Sequence, residues 1–295
     1  MKPKISVVIA AYNEESCIAN AVRSVMGQPL APGTFECIVA DDGSTDRTVE
    51  MARAAGATVV RLEKNSGISV ARNAGVAAAQ GQWVAFTDAD CLVSRRWLPS
   101  LLAEIEKADD SVLAVAGKIL GLDSRTPAAR FVDLTGGLDG ETYLQHGTMP
   151  WAPGGNVCYR REHLLAVPFD PSLNAYESAE LQLRLTDRFG GRIVYAPTAL
   201  VLHPHHPTWR AFWHQQRNYG VGYAQFIFKH ADRWPWGLRR EWQQWRRLAG
   251  FAVRSCFCRG DAGLVQRGLL VKYLALRMGF LSVWLSRRPQ VRRGT

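Results

Sequence analysis

Several signatures that would settle the class of this chain quickly are missing from it. Its 295 residues hold no G-x-G-x-x-G or Walker-type glycine loop after the first apolar run, which removes support for dinucleotide oxidoreductases and P-loop enzymes. No stretch of about 18 or more uncharged apolar residues occurs, and the best candidate, Leu264–Leu285, is interrupted by Arg267, Lys272 and Arg277. The expectation is a chain without a membrane span. Cysteine is scattered: Cys17, Cys37, Cys91, Cys158, Cys256 and Cys258 lack the repeated short spacing of a structural zinc site, so buried free thiols are expected. Met1–Tyr12 runs from two lysines straight into a strand-like segment, without the long apolar core and cleavage site of a signal peptide; a cytoplasmic protein is expected. Internal repeats and low-complexity segments are missing too. Acidic residues are scarce at one end: residues 203–295 carry 17 Lys and Arg against 3 Asp and Glu, a net +14 in a chain of net +10, leaving about −4 for residues 1–202.

What remains is an ordinary globular composition, 47% hydrophobic and 21% charged, enough for one large domain or a domain with an appendage. Strand-like and helical patterns alternate from the start: Ile5–Ala11 then Ser16–Met26, Phe35–Ala40 then Arg47–Ala55, Thr58–Leu62 then Ile68–Ala79, Trp83–Thr87 then Arg96–Lys107. Runs such as Ser6-Val7-Val8-Ile9-Ala10 are apolar on both faces, as in parallel strands covered by helices on each side. The expected fold class is α/β, a Rossmann-like mixed, mostly parallel sheet with helices on both faces, plus a basic helical C-terminal extension. A strand at Val112–Ile119, an irregular loop over the site from Gly136 to Asn156, a helix at 180–189 and a strand at Arg192–Tyr195, with a strand-like run from Tyr195 to Leu202, follow. A boundary is expected near 203–208, where His203-Pro204-His205-His206-Pro207 breaks the pattern. That gives residues 1–205 as a catalytic domain, with a donor half to about 95 and an acceptor half from 96, and 206–295 as the extension.

Ligands of open α/β sheets sit at the carboxyl ends of the strands. Tyr12-Asn13-Glu14, Asp41-Asp42-Gly43-Ser44 and Asp88-Ala89-Asp90 each stand where a strand is expected to stop, so three polar clusters converge on one rim. Asp88 and Asp90, two residues apart in an extended segment, point to the same side and suit a hard divalent cation, Mg or Mn. Such an ion offsets charge developing on a departing diphosphate. Ser44 or Asp46 can start the helix that follows, which leaves Asp41 or Asp42 to accept hydrogen bonds from a base or ribose. Gly67 in Asn65-x-Gly67 permits a tight turn. Arg72 is placed either for phosphate or for an ion pair with an acidic cluster.

These motifs, Ser6-Val7-Val8-Ile9-x-x-Tyr12-Asn13-Glu14, Asp41-Asp42-Gly43-Ser44-x-Asp46, Asn65-x-Gly67-x-x-x-Ala71-Arg72-Asn73-x-Gly75 and Asp88-Ala89-Asp90, stand in the order and spacing of the family 2 glycosyltransferases, and the chain resembles that family over about residues 4–230. The resemblance implies the GT-A fold and transfer of a sugar, with inversion, from a nucleotide-diphosphate donor, expected to be a UDP-sugar, to a glycan or lipid-linked acceptor. It implies donor contacts from Ala11, Tyr12, Asn13, Glu14, Asp41, Asp42, Asn65, Arg72, Asp88 and Ala89, with base and ribose at Tyr12 and Asp42. Metal ligation is implied for Asp88, Asp90 and His203. Gly154–Arg161 resembles the acceptor-side segment of the family. So does Trp209-x-x-Phe212-x-x-Gln215-x-Arg217-x-Tyr219-Gly220, although helical core packing explains that aromatic spacing as well.

One departure stands out. The family's Glu-Asp-x-Glu/Asp-Leu segment, whose Asp is the general base, reads Glu177-Ser178-Ala179-Glu180-Leu181 here. Serine has no useful basicity near neutral pH, so Glu177 is the first substitute and Glu180 the second. Glu180 also reads as a first-turn carboxylate pairing with Arg184. His203 and His205 read equally as a ligand and as imidazoles in a Pro-rich turn. The basic tail, Arg233–Arg293, reads as an in-plane membrane anchor meeting anionic headgroups, or as a packed helical appendage with a solvated face; nucleic acid is not an expected partner. Two other functions compete: a catalytically silent nucleotide-sugar or glycan binder, favoured by Ser178, and a nucleotidyltransferase, disfavoured by the missing phosphate loop.

Overall fold

A computed structural model of the chain describes residues 2–136, 141, 144, 151–233 and 237–287. Most of the expected loop at Gly136–Asn156, and the tail beyond residue 287, therefore lie outside the described residues. The chain divides into two compact units, one of residues 1–123 and 136–204, the other of residues 124–135 and 205–295.

The first unit is built on an eight-stranded mixed sheet. Its strands are β1 (Ile5–Ala11), β2 (Phe35–Asp41), β3 (Thr58–Arg61), β4 (Trp83–Thr87), β5 (Leu92–Val93), β6 (Val112–Gly121), β7 (Asn156–Arg160) and β8 (Arg192–His203), in the order β3-β2-β1-β4-β7-β6-β8-β5. The β3-β2-β1-β4 run is parallel, with Ile5 opposite Phe35 and Trp83. β7 lies antiparallel between β4 and β6, and β5 antiparallel on β8. The helices between are α1 (Ile18–Met26), α2 (Thr48–Ala54), α3 (Ile68–Ala78) and α4 (Trp97–Ile105). The second unit contributes α5 (Pro127–Leu134), and the first then continues with α6 (Arg161–Ala166) and α7 (Glu177–Phe189).

Both faces of the sheet are covered, and strand alternation sorts the side chains between them. Val7 and Ile9 of β1 pack with Ile18, Val22 and Val25 of α1 and with Trp97, Leu98 and Leu101 of α4. Val8, Ile38 and Phe86 face the other way, onto Ala71 and Val76 of α3 and Leu181 and Leu185 of α7. Ile18, Val22 and Val25 recur at helical spacing, which is why that segment forms a one-faced helix.

Three short elements correct the expected pattern. β5 and α6 are too brief to show periodicity, and β7 sits at the end of the segment expected as loop. β8 joins the expected strand Arg192–Tyr195 and the strand-like run to Leu202 into one strand, and its pairing with β6 shifts along the way: Gly117 pairs with Ala196, but Lys118 with Leu200. Asn156 staples that shift, its Nδ2 donating to Lys118 O and Ala199 O at 2.8 Å each while its Oδ1 accepts from Trp97 Nε1 at 2.8 Å. The irregularity carries β8 on to His203.

In the second unit, Thr126 caps α5 by accepting from Ala129 N, with Pro127 at the first helical position. The other helices are α8 (Trp209–Lys229), α9 (Gly237–Phe257) and α10 (Gly260–Ser286). Phe131 is buried against Trp209 and Phe212, so the aromatic spacing of that segment serves packing within this unit. Gly220 of α8 and Gly279 of α10 each meet the backbone of the opposite helix, where a Cβ would collide. By length (27 residues) and composition (mean hydropathy 1.4 over its best window) helix α10 is long and apolar enough to cross a membrane, and 28% of that window is buried.

Candidate active site

The carboxyl ends of β1, β2 and β4 open on a cleft of about 430 Å³ within the first unit. Tyr12 and Glu14 line it because the turn after β1 is tied to the turn after β2. Asn13 adopts a left-handed conformation (φ 56°), tolerated by Asn. Its N–H donates to Ser44 Oγ at 2.9 Å, and its Oδ1 accepts from Thr45 N at 2.9 Å. Asn13 is therefore spent on holding the two turns together and does not line the cleft.

Of the two adjacent carboxylates after β2, Asp42 lines the cleft and Asp41 does not. Asp41 is fully buried; its Oδ2 accepts from Ser44 N at 3.1 Å and lies 3.4 Å from Arg61 Nε. Asp42 accepts from Ser66 N (2.7 Å) and Gly67 N (2.9 Å), which fixes the start of α3 as one wall. Gly67 has a φ of 97°, and a Cβ there would strike Asn174 Oδ1. Asn65, Ala71 and Asn174 complete that wall. Asp46, next in the same turn, accepts from Thr48 N at 2.9 Å.

Asp88, Ala89 and Asp90 follow β4 and line the floor, with His203 from the end of β8. Among the described residues, the cleft lining thus includes four carboxylates and an imidazole but no Lys or Arg. Carboxylates crowded in one place repel each other, and a bound cation relieves that. Asp88 and Asp90 offer the oxygens a hard divalent ion requires, and His203 adds an imidazole, which suits Mn better than Mg. A carboxylate oxygen of Asp88, a ring nitrogen of His203 and Cys91 Sγ all lie within 4.8 Å of one another. Burial, reinforced by Asp88 and Asp90, pushes the Cys91 thiol well up from its ordinary value, so it stays protonated beside an oxygen-seeking ion.

Arg72 stands behind this floor. Its side chain is 4% exposed and reaches Asp88 Oδ1 at 3.3 Å and Glu177 Oε1 at 2.5 Å. Burial works against its charge, but Glu177 and then Asp88 outweigh that and hold the guanidinium protonated. Of the two roles open to it, Arg72 takes the ion pair with acidic groups. Gly154 and Gly155 let the chain pass close beside these groups: a Cβ at the first would collide with Ser178 Oγ, and one at the second with Asp88 Oδ2.

Helix α7 begins at Glu177 after Tyr176, whose left-handed backbone (φ 64°) is uncommon for a bulky residue. Ser178 is buried; its Oγ donates to Glu177 Oε1 at 3.0 Å and accepts from Arg72 Nη1 at 3.3 Å. Glu180 is fully buried and held by Arg184, with Nε 2.9 and 2.8 Å from its two oxygens. It is thereby withdrawn from proton transfer, and the helix ion pair is its role here. His205 pairs with Asp133 at 2.9 Å in the second unit and is not part of the cleft lining. Asn174 and Cys91 went unrecognised in the sequence. Asn174 has no local signal, since only long-range packing brings it to Gly67, whereas Cys91 directly follows the acidic motif.

A model of Glycosyl transferase family 2 matches residues 6–166. The chain is 32% identical over 239 residues to a pre-mycofactocin glycosyltransferase of Mycobacterium tuberculosis, an alignment covering 78% of this chain and 48% of that protein. It spans about half the length of that curated relative. Among solved structures, it superposes on a mannosyltransferase from Pyrobaculum calidifontis in complex with GDP-Man and Mn2+ with a TM-score of 0.69, at 18% identity, covering 98% of this chain and 89% of that one. Glucosyl-3-phosphoglycerate synthase from Mycobacterium tuberculosis, in complex with Mg2+ and UDP, gives 0.57 at 26% identity, covering 76% of this chain and 78% of that one. The acidic strand-end cleft and these likenesses agree: the chain belongs to glycosyltransferase family 2 and has the GT-A fold.

Proposed function

We propose that this chain transfers a sugar from a nucleotide-diphosphate donor, a UDP-sugar, to an acceptor hydroxyl with inversion and with the help of Mg or Mn. The observation that carries the reading is the cleft at the strand ends, where Asp42, Asp88, Asp90 and His203 gather without a Lys or Arg among the described lining residues. Ala11, Tyr12, Glu14, Asp42 and Asn65 bind the nucleoside, and Asp88, Asp90 and His203 hold the cation. That cation, when bound, neutralises charge on the departing diphosphate. Glu177 takes the acceptor proton as the hydroxyl attacks from the face opposite the leaving group. Arg72 keeps Glu177 oriented, and the backbone at Gly154 and Gly155 closes the space beside it.

Residues 1–205 serve as the catalytic domain and 206–295 as a basic extension that meets anionic membrane on the cytoplasmic side, bringing a lipid-linked glycan acceptor within reach. Val253 and Phe257, one turn apart on α9 and 59% and 82% exposed, support membrane contact, with Arg254 and Arg259 beside them. The solved UDP complex of a 26% identical protein supports the donor.

Incubation with UDP- and GDP-sugars, Mn2+ and extracted lipids should release UDP. The absence of both UDP release and calorimetric donor binding would refute the reading. A second reading, a silent donor binder, is favoured by Ser178 at the base position and by Arg72 already occupying Glu177 Oε1. It requires donor binding with equally low turnover in wild type and Glu177→Gln.

A further inference from the structure

The donors gathered at the cleft floor and beside it, where Cys91 is buried outside the lining, are not all of the kind that suits Mg or Mn. Asp88, Cys91 and His203 bring one oxygen, one sulfur and one nitrogen within 4.8 Å of one another. Donors bound at about 2.0–2.3 Å around a tetrahedral ion are roughly 3.3–3.8 Å apart. Side-chain shifts of about an ångström therefore close the set. Cys91 is only 1% exposed, yet it does not face apolar neighbours alone: its thiol donates to Asp90 Oδ1 at 3.5 Å, so the sulfur is turned toward the carboxylates.

Sulfur in such a set changes which ions it prefers. Mg2+ is served by oxygen, whereas thiolate with imidazole and carboxylate selects zinc-like ions. We infer that the cleft floor is a mixed oxygen, nitrogen and sulfur site, in which Cys91 becomes a third protein ligand to thiophilic divalent ions of the zinc class. On binding, the Cys91 sulfur gives an electron pair to the ion and its proton passes to solvent, one proton for each ion bound. Asp88 supplies a carboxylate oxygen while Arg72, 3.3 Å from its Oδ1, steadies the carboxylate from behind. The consequence rests on the function proposed above: zinc-class ions occupy the place assigned to Mg or Mn and block donor binding. The binding itself does not rest on that reading.

The test uses the full chain carrying Cys17→Ser, Cys256→Ser and Cys258→Ser, which removes the thiols that are not buried. Titration with Cd2+, followed by ultraviolet sulfur-to-cadmium charge-transfer absorption, should saturate at one ion per chain. Adding Cys91→Ser should abolish the band and weaken Zn2+ binding, measured by calorimetry, at least about tenfold, the scale that even outer-shell losses reach. A band that never forms, a band that survives Cys91→Ser, or unchanged Zn2+ affinity overturns the assignment. If Cys91→Ser fails to fold, His203→Gln decides: weaker Cd2+ binding with the band still reached at higher concentration supports the site, and unchanged binding refutes it. Calorimetry with Mn2+ and UDP on the same protein separates the two ideas. Lost UDP binding beside an intact cadmium band sinks only the proposed function, and the reverse result sinks only the mixed site.

Discussion

Replacing Arg72 by methionine should destabilise the first unit strongly, and most of the loss should trace to a single partner. The guanidinium lies over the rings of Phe86 and Phe169, 5.8 and 5.6 Å from their centroids, so methionine preserves much of the stem packing and removes mainly the charge. Glu177, 12% exposed, would then face a desolvated environment alone. Breaking a buried pair from one side costs about 3 kcal/mol, mostly the penalty of the charge left behind. Asp88 is 36% exposed and can turn to water, so its share is about 0.5 kcal/mol at most. For a unit of this size, 3 kcal/mol corresponds to a melting-temperature drop of roughly 6–12 °C. Glu177→Gln added to Arg72→Met should restore roughly 2 kcal/mol, visible as coupling in a double-mutant cycle of urea melts. Additive effects, or an Arg72→Met protein that melts with wild type, would show that the three-residue network does not organise this part of the fold.

Gly155→Ala places a Cβ against Asp88 Oδ2; calorimetry should show Mn2+ and UDP binding weakened about tenfold, as for a displaced ligand-supporting group, with the melting temperature moved far less. His163 stacks on Phe189, its ring centroid 4.2 Å away. Burial, aided by Arg160 and opposed by Glu162, depresses its pKa. The neutral imidazole is therefore favoured by folding, and its contribution is present above the ordinary histidine value of about 6.5 and fades as pH falls through the lowered folded value. Melting temperatures at neutral and mildly acidic pH should consequently fall further for wild type than for His163→Phe. Phe257→Glu, at a site 82% exposed, should reduce sedimentation with phosphatidylglycerol vesicles severalfold without altering the melt, since insertion of a ring and attraction to anionic headgroups are both weakened.

The parallel half of the fold was legible because β1, β4 and most of β2 are buried on both faces and α1 between them repeats at one spacing. Val7-Val8-Ile9 and Ile18-Ala19-Asn20-Ala21-Val22 carry those patterns within a few residues. The rim was legible for a related reason: a parallel strand that stops in acidic residues has only one place to put them. What escaped was set by contacts across the chain. β7 is five residues long and inserts between β4 and β6 through pairing that its own sequence does not advertise. The register shift within β8 depends on Asn156, some forty positions earlier, holding Lys118 and Ala199. The same is true of individual side chains. Asp41 and Asp42 are alike in sequence, and only the amides of Ser66 and Gly67 against the guanidinium of Arg61 decide which one meets the cleft.

Ser178 is where that distinction between local pattern and assembled site bears on catalysis. A carboxylate at this buried position would stand beside Glu177 and Arg72, and two carboxylates sharing one cation titrate as a pair, one of them poised for proton transfer. Serine removes the second carboxylate and leaves Glu177 Oε1 accepting from both Ser178 Oγ and Arg72. If Glu177 has taken over the proton, Glu177→Gln lowers turnover by about 10²–10⁴-fold, the usual span of a general base, while Ser178→Asp changes it by less than about tenfold because the step is already served. Both variants should bind UDP and Mn2+ like wild type, since neither residue lines the donor cleft. A hundredfold gain on Ser178→Asp, together with no loss on Glu177→Gln, would refute the takeover: the carboxylate missing from position 178 would then be the group the reaction lacks, with Glu177 serving only to hold Arg72 in place.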